Sequence, residues 1–403
     1  MQAVDGSKIA IIVDFGAKNN FTHHIPLIQQ YSLVLENLGW KVNIFVPAYA
    51  DSIDFKNCSG SVKFNLYSLL FGPQIQDKFF VGLVFKLIER AINNRKAYRL
   101  KKIITRILIL KPSIDLFMLI RKYGGSKEIR VVFPTTDTLS IDFGNLLNRF
   151  LGKYQVTFCY RLVGSESRGS IATGNELLDL AKMCSDIKFN VRIGVETQGY
   201  KNYLLGHGFD SINIYWSPWP QLPSKVKYSC QNPVLTLGFF GTAKKVKGFD
   251  LLPGIFTELV KSGLEFKAFV QGTIFPWPEY LITMKNLQNN FSNNLEFTSP
   301  ILDLKEMQDY ISSCDFLVLP YHPESYKING SGLQYQAADA NIPVIVRSGT
   351  GFSMEVFKYD IGFEFEDLAE IPNLLKNANY EKFRNYLGIY NNERNSATVH
   401  FLN

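Results

Sequence analysis

"DFLVLPYHPESYKINGSGLQYQAADANIPVIV" occupies residues 315–346. An apolar run closes on Pro320, a polar loop with Asn329, Gly330, Ser331 and Gly332 follows, and a helix-compatible segment leads to Pro343 and a β-branched run. Strand, loop, helix and buried strand in so short a span form a βαβ unit, which requires a parallel sheet. The same rhythm extends upstream: strand 234–241, helix 248–262, strand 266–272, helix 278–289, strand 295–300 and helix 304–313.

A second alternation fills the N-terminal half. "KIAIIVDF" (8–15) reads as a strand, "PLIQQYSLVLENLG" (26–39) as a helix with a closing glycine, and "KVNIFVP" (41–47) as the next strand. Further strands are expected at 129–134, 154–163, 187–193 and 211–218, with a helix at 173–184. Buried β-branched runs alternating with helices predict a parallel sheet covered on both faces. Between the halves, 217–233 carries four prolines and no apolar period, the signature of a linker. The expected division is a first domain over 1–217, a linker over 218–233 and a second domain over 234–380. A helical tail over 381–403 is expected to pack back toward the first domain.

Bulk composition agrees. A chain of 403 residues is too long for one ordinary core, and 46% hydrophobic with 20% charged residues suffices for two. Five widely spaced cysteines without a Cys-x-x-Cys argue against a zinc knuckle or a disulfide framework and for a reducing compartment. No signal peptide is read at the start, and no apolar run reaches the roughly 18–20 residues of a membrane span. A cytoplasmic protein is the expectation. The net charge of +7 is concentrated: residues 81–130 hold thirteen Lys/Arg against three Asp/Glu.

In paired parallel sheets, ligands sit beyond the carboxyl ends of the strands, here in a cleft between the domains. The loops to inspect follow Phe15, Phe133 and Val163 in the first half, and Phe240, Gln271 and Pro320 in the second. "GTAKKVKG" (241–248) leaves a strand on Gly241 and opens a helix on Gly248, with Lys244, Lys245 and Lys247 between. Backbone N–H groups, a helix N-terminus and mobile cations suit a phosphate or diphosphate; a solvated basic turn is the plainer alternative. "YHPESYKINGSG" (321–332) offers Glu324, Lys327, Asn329, Ser331 and Gly332 before a helix, groups suited to a sugar or ribose; a long surface loop is the alternative.

Residues 234–346 resemble the donor-binding domain of family-four glycosyltransferases of the GT-B fold. The shared features are Gly241-Thr242…Lys247-Gly248 after a strand, Asp315 to Pro320 before the sugar loop, and "QAADANIPVI" (336–345). The first half resembles the acceptor domain through the glycine loop at Gly16 and "YKNYLLGHGFDSINIYWSP" (200–218). The resemblance implies an α/β, GT-B architecture of two Rossmann-like, doubly wound parallel-sheet domains facing a cleft. It implies transfer of a sugar from a nucleotide diphosphate-sugar, as co-substrate, to a glycan or lipid-linked acceptor. No metal or other cofactor is expected, and no Asp-x-Asp pair stands at a strand end. Retention of anomeric configuration follows from the same family. A nucleotide-sugar epimerase of this fold, or a degenerate glycan-binding scaffold, are the alternatives.

Donor contacts are expected from Gly16, Gly241, Thr242, Lys244, Lys247, Gly272, Lys327, Ser331, Gly332, Leu333 and Gln336. Two departures from the family pattern stand out. Thr242 replaces an arginine, so the neighbouring lysines must supply its charge. Gln336 stands where the family carries a glutamate, and eight residues before it lies Ile328 instead of the motif's first glutamate. Treating Glu324 as that first glutamate requires a four-residue insertion before Gly332. An amide at 336 still accepts and donates, at a loss of about 1 kcal/mol relative to a charged acceptor.

In the first half, "NNFTHHIP" (19–26) places His23 and His24 on the cleft side, as substrate binders or local hydrogen-bonders. Asp137 follows strand 129–134 and either orients or deprotonates the acceptor or caps the next helix. Arg161 either meets an acidic acceptor group or makes a structural ion pair. Asp137, His24 and Glu324 are the catalytic candidates; His23 and Arg161 are the acceptor-side ones.

The basic excess centres on "FKLIERAINNRKAYRLKKIITRILIL" (85–110), whose apolar positions 84, 87, 88, 91, 92 and 98 form one stripe. A basic amphipathic helix suits an anionic membrane surface, here through residues 83–111, and places the protein at the inner membrane face. An ordinary packed helix is the alternative. Nucleic acid is not expected, since aromatic residues are not interleaved with the basic ones.

Overall fold

The fold was obtained as a computed structural model, which describes residues 8–14, 24–47, 61–66, 113–123, 128–136, 138–151, 154, 156–163, 190–210, 213–221, 234–271 and 278–403. Two wholly parallel sheets organise it. The first has seven strands in the order β3-β2-β1-β4-β5-β6-β7. They are β1 Lys8–Val13, β2 Trp40–Pro47, β3 Ser61–Leu66, β4 Glu128–Thr136, β5 Val156–Leu162, β6 Asn190–Val195 and β7 Ile214–Trp216. The second has six strands in the order β10-β9-β8-β11-β12-β13. They are β8 Leu235–Phe239, β9 Phe266–Gln271, β10 Leu295–Thr298, β11 Phe316–Leu319, β12 Val344–Arg347 and β13 Gly362–Phe365.

Every residue of β5 and of β11 is buried, as strands covered on both faces require. The helix His24–Asn37 ends at Gly39, whose φ of +79° only glycine adopts without strain. The expected helix 248–262 is regular only over Leu252–Lys261, and two tight 3-10 turns, Lys245–Lys247 and Phe249–Leu251, precede it. Two strands went unread in the sequence, β3 and β13. Both lie at sheet edges, where one side lacks a partner and the apolar signal is weaker. The expected helix 173–184, residues 222–233 of the expected linker and the basic segment 83–111 lie outside the described residues.

The C-terminal helix, Tyr380–Leu402, is polar in composition yet buries Phe383, Leu387, Tyr390, Arg394, Thr398 and Phe401 on one face. It runs from the second sheet to the first. Arg394 reaches the Asp339 carboxylate beneath it. At the far end, Phe401 fits against Gly194, where a Cβ would come within 3.0 Å of its ring. Arg192 and Arg130 donate to the carbonyls of His400 and Asn403.

The sheets meet along a packed seam. One apolar cluster continues from Ile28 and Leu35 through Trp216 and Trp219 into Tyr335, Val344 and Val356. Gly199 abuts Gly351, and a Cβ on Gly199 would stand 3.1 Å from the Gly351 Cα. Glu355 is fully buried in this seam. Tyr390 Oη donates to its Oε2 at 2.7 Å and Trp216 Nε1 to its Oε1 at 3.3 Å. Burial pushes its carboxyl up to about 7, against the lowering effect of those hydrogen bonds.

That shift has a definite sign. The unfolded chain releases the Glu355 proton near 4.5, whereas the folded chain keeps it to about 7. Between those values the folded state holds more protons, so this group's contribution to stability falls as pH rises through the window. Glu355→Gln removes the dependence. Melting curves from pH 4.5 to 7 are expected to shift progressively in favour of the variant; parallel curves for the two proteins would contradict the assignment.

Candidate functional site

Five strands present their carboxyl ends to one cavity of about 340 Å³ between the sheets. Arg161 and Val163 come from the end of β5, Glu196 follows β6, Trp219 follows β7, Gly241 follows β8 and Tyr321 follows β11. Lys247, Tyr326, Gly330, Ser331, Gly332, Leu333 and Gln336 complete the lining. The two loops singled out in the second half therefore converge.

Their convergence has a local cause. Gly248 has a φ of +70°, and a Cβ there would run into the carbonyl oxygen of Pro320. The backbone of the lysine loop can approach the end of β11 only because that residue is glycine. His322 N then donates to Val246 O at 3.1 Å, joining the loops. Gly241, at φ +94°, donates its N–H to Gln271 Oε1 at 2.5 Å. The same glycine leaves room for Lys247, whose Nζ would stand 3.1 Å from a Cβ there.

Lys247 Nζ lies 5.7 Å from the centre of the Tyr321 ring, and among the described residues no carboxylate forms an ion pair with it. Ser331 stands at the N-cap of the helix Gly332–Asp339 but makes no side-chain cap. Its Oγ donates instead to Tyr321 Oη at 3.4 Å. Among the described residues no side chain caps the first N–H groups of that helix, and such groups suit an anion. Among the described residues, Gln336 Oε1 is buried without a hydrogen-bond partner. Burial pushes the Tyr321 and Tyr326 phenols up to about 12, so both stay protonated at neutral pH.

The other wall belongs to the first sheet. Arg161 is fully buried and donates Nε to Ser217 O at 2.8 Å, Nη1 to Pro134 O at 3.2 Å and Nη2 to Glu196 Oε1 at 3.1 Å. Burial is the largest single influence and works against its charge, but the Glu196 carboxylate, its hydrogen bond and the Tyr31 and Tyr335 phenols together outweigh it and hold the pKa above the usual value. The structural ion pair foreseen as one alternative for Arg161 is thus present, and the residue also lines the cavity.

Of the residues expected from sequence, Gly241, Lys247, Ser331, Gly332, Leu333, Gln336 and Arg161 line this cavity. Thr242, Lys244, Glu324 and Lys327 do not; the last three are exposed, Glu324 on the short helix Pro323–Tyr326. His24 Nδ1 sits 2.9 Å from an Asp14 carboxylate oxygen at the end of β1 and is outside the lining. Gly16, His23, Asp137 and Gly272 lie outside the described residues. Glu196, Trp219, Tyr321 and Tyr326 were not foreseen. Only the rule that ligands sit at strand carboxyl ends could have pointed to Glu196, through "VET" closing strand 187–193.

No family model and no curated protein matches the sequence. Solved structures do match. Sucrose-phosphate synthase from Thermosynechococcus elongatus superposes with a TM-score of 0.61 at 15% identity, covering 98% of this chain and 95% of that one. The fold is GT-B. Anabaena HepE, solved in complex with UDP and glucose, gives 0.57 at 12% identity, over 98% and 97% of the two chains. A putative UDP-N-acetylglucosamine 2-epimerase from Listeria monocytogenes gives 0.55 at 13%, over 98% and 95%. Glycosyltransferases predominate among such structures. In GT-B terms, the cavity lies in the cleft between the two Rossmann-like domains. No helix among the described residues is long and apolar enough to cross a membrane.

Gly248→Ala tests the loop contact. A left-handed backbone costs a non-glycine residue about 1–2 kcal/mol. Gly263→Ala carries the same backbone cost, at φ +71°, with nothing within 4 Å of its Cβ. A lower melting temperature for Gly248→Ala than for Gly263→Ala is expected. Equal values would remove the close approach to Pro320.

Proposed function

We propose that this protein is a glycosyltransferase that moves a sugar from a nucleotide diphosphate-sugar to a glycan or lipid-linked acceptor, in cell-envelope or exopolysaccharide biosynthesis. The observation that carries the reading is the meeting, in one interdomain cavity, of the Lys247 ammonium, the helix start at Ser331–Leu333 without a side-chain cap, and the Gln336 amide oxygen, which has no hydrogen-bond partner among the described residues. The HepE structure with UDP and glucose supports it by analogy of fold.

In this reading the donor diphosphate lies between Lys247 and the helix N-terminus, where negative charge is stabilised as the leaving group departs. Low polarity around Tyr321 and Leu333 strengthens that attraction. Gln336 accepts from a ribose hydroxyl. The bond from the anomeric carbon to the diphosphate oxygen breaks and a bond to the acceptor oxygen forms. The acceptor proton passes to the leaving phosphate, with retention and without a metal. His24, oriented through Asp14, and Asp137 stand on the acceptor side, and Glu324, Lys244 and Lys327 border the donor loop. The acceptor is delivered at the inner face of the membrane, which the basic segment 83–111 contacts. A nucleotide-sugar epimerase is the second reading, favoured by the Listeria structure. Incubating donor without acceptor separates the two, because only the epimerase converts it to an epimer.

Calorimetry with UDP, GDP and ADP is expected to show binding of at least one nucleotide. Lys247→Ala should weaken it by about tenfold or more, as loss of a charge-assisted hydrogen bond implies. No binding of any of the three to the wild-type protein would overturn the reading.

Flotation with vesicles rich in anionic lipid is expected to carry the protein upward at low salt and release it at high salt. Equal flotation with neutral vesicles would remove the electrostatic role of segment 83–111.

A further inference from the structure

Among the described residues, the second domain brings no carboxylate to the cavity. Glu324 is exposed and outside the lining, and Gln336 is an amide. Among the described residues, Glu196 is the one carboxylate in the lining, and it belongs to the opposite domain. Its position is built. Arg161 Nη2 holds Oε1 at 3.1 Å, and the Gly330 N–H reaches Oε2 at 3.3 Å. Neighbouring bonds lock the same turn onto the same loop. Thr197 Oγ1 donates to Ile328 O at 2.8 Å, and Tyr335 Oη donates to the Glu196 carbonyl at 2.9 Å. Ile328 itself is buried in the apolar cluster of the first sheet.

Resting on the transferase reading, we propose that Glu196 is a donor-sugar positioning and specificity residue, supplied across the cleft in place of a carboxylate from the donor domain. Each carboxylate oxygen can accept more than one hydrogen bond. Arg161 and Gly330 occupy one site on each, so the remaining sites are available to sugar hydroxyls at the start of the Gly332–Asp339 helix. Arg161 neutralises the charge, which leaves Lys247 to meet the diphosphate. The group recognised is therefore a hydroxyl-bearing sugar, read separately from its nucleotide. Gly330 belongs to the device. A Cβ there would stand 2.5 Å from the Glu196 carboxyl carbon, so only glycine lets the carboxylate settle on this loop.

The test compares two affinities in the same protein. The nucleotide that binds the wild type best among UDP, GDP and ADP is titrated by calorimetry, then its glucose, galactose, mannose and N-acetylglucosamine conjugates. In Glu196→Gln the bare nucleotide is expected to bind within about twofold of wild type. The preference for the best nucleotide-sugar over the bare nucleotide should fall by about fivefold or more, as expected when charged acceptors become neutral. Gly330→Ala displaces the carboxylate without deleting it and should cause the same selective loss. A purely structural role would weaken both ligands together and leave their ratio unchanged. An unchanged ratio in both variants overturns the proposal while the transferase reading stands. A wild-type protein that binds no nucleotide overturns the transferase reading, and this proposal with it.

Discussion

A guanidinium removed from water must find acceptors for its N–H groups, and Arg161 sets the geometry of the cleft because it is wholly buried. Its acceptors come from three different strand ends: Pro134 within β4, Glu196 after β6 and Ser217 after β7. Satisfying one side chain therefore draws the carboxyl edge of the first sheet together and orients the Glu196 carboxylate. That carboxylate then meets Gly330 in the opposite domain.

Backbone proximity extends the constraint across the seam. Gly199 against Gly351 and Gly330 against Glu196 are approaches that a Cβ would block. They place a turn of the first domain directly on the loop that opens the Gly332–Asp339 helix. The shared apolar cluster, which includes Trp216 and Trp219, holds the arrangement. The site between the sheets is thus shaped by both: cation and helix start from one, ion pair and indole wall from the other.

Much of the architecture was legible in the chain. Alternating buried runs and helices identified parallel sheets, and strand carboxyl ends identified which loops to inspect. Gly241, Lys247, Ser331, Gly332, Leu333 and Gln336 were reachable that way, because each lies within one βα connection. The edge strands β3 and β13 were not; β13 buries only Phe365. The inner face of Tyr380–Leu402 was hidden by its polar average, although Phe383, Leu387, Tyr390, Arg394, Thr398 and Phe401 recur at three- and four-residue spacing. Glu324, to which a motif-based alignment gave a role, stands exposed on a short helix and outside the cavity lining.

The sequence by itself determined the two parallel α/β units and the phosphate-friendly loops, because these depend on local periodicity, glycine placement and helix termini. Tertiary structure alone decided which carboxylate faces the cavity. Glu196 and Gly330 are 134 positions apart, and nothing in the local pattern around either names the other. Their meeting depends on how two sheets pack, which is a property of surfaces brought together and not of any one segment.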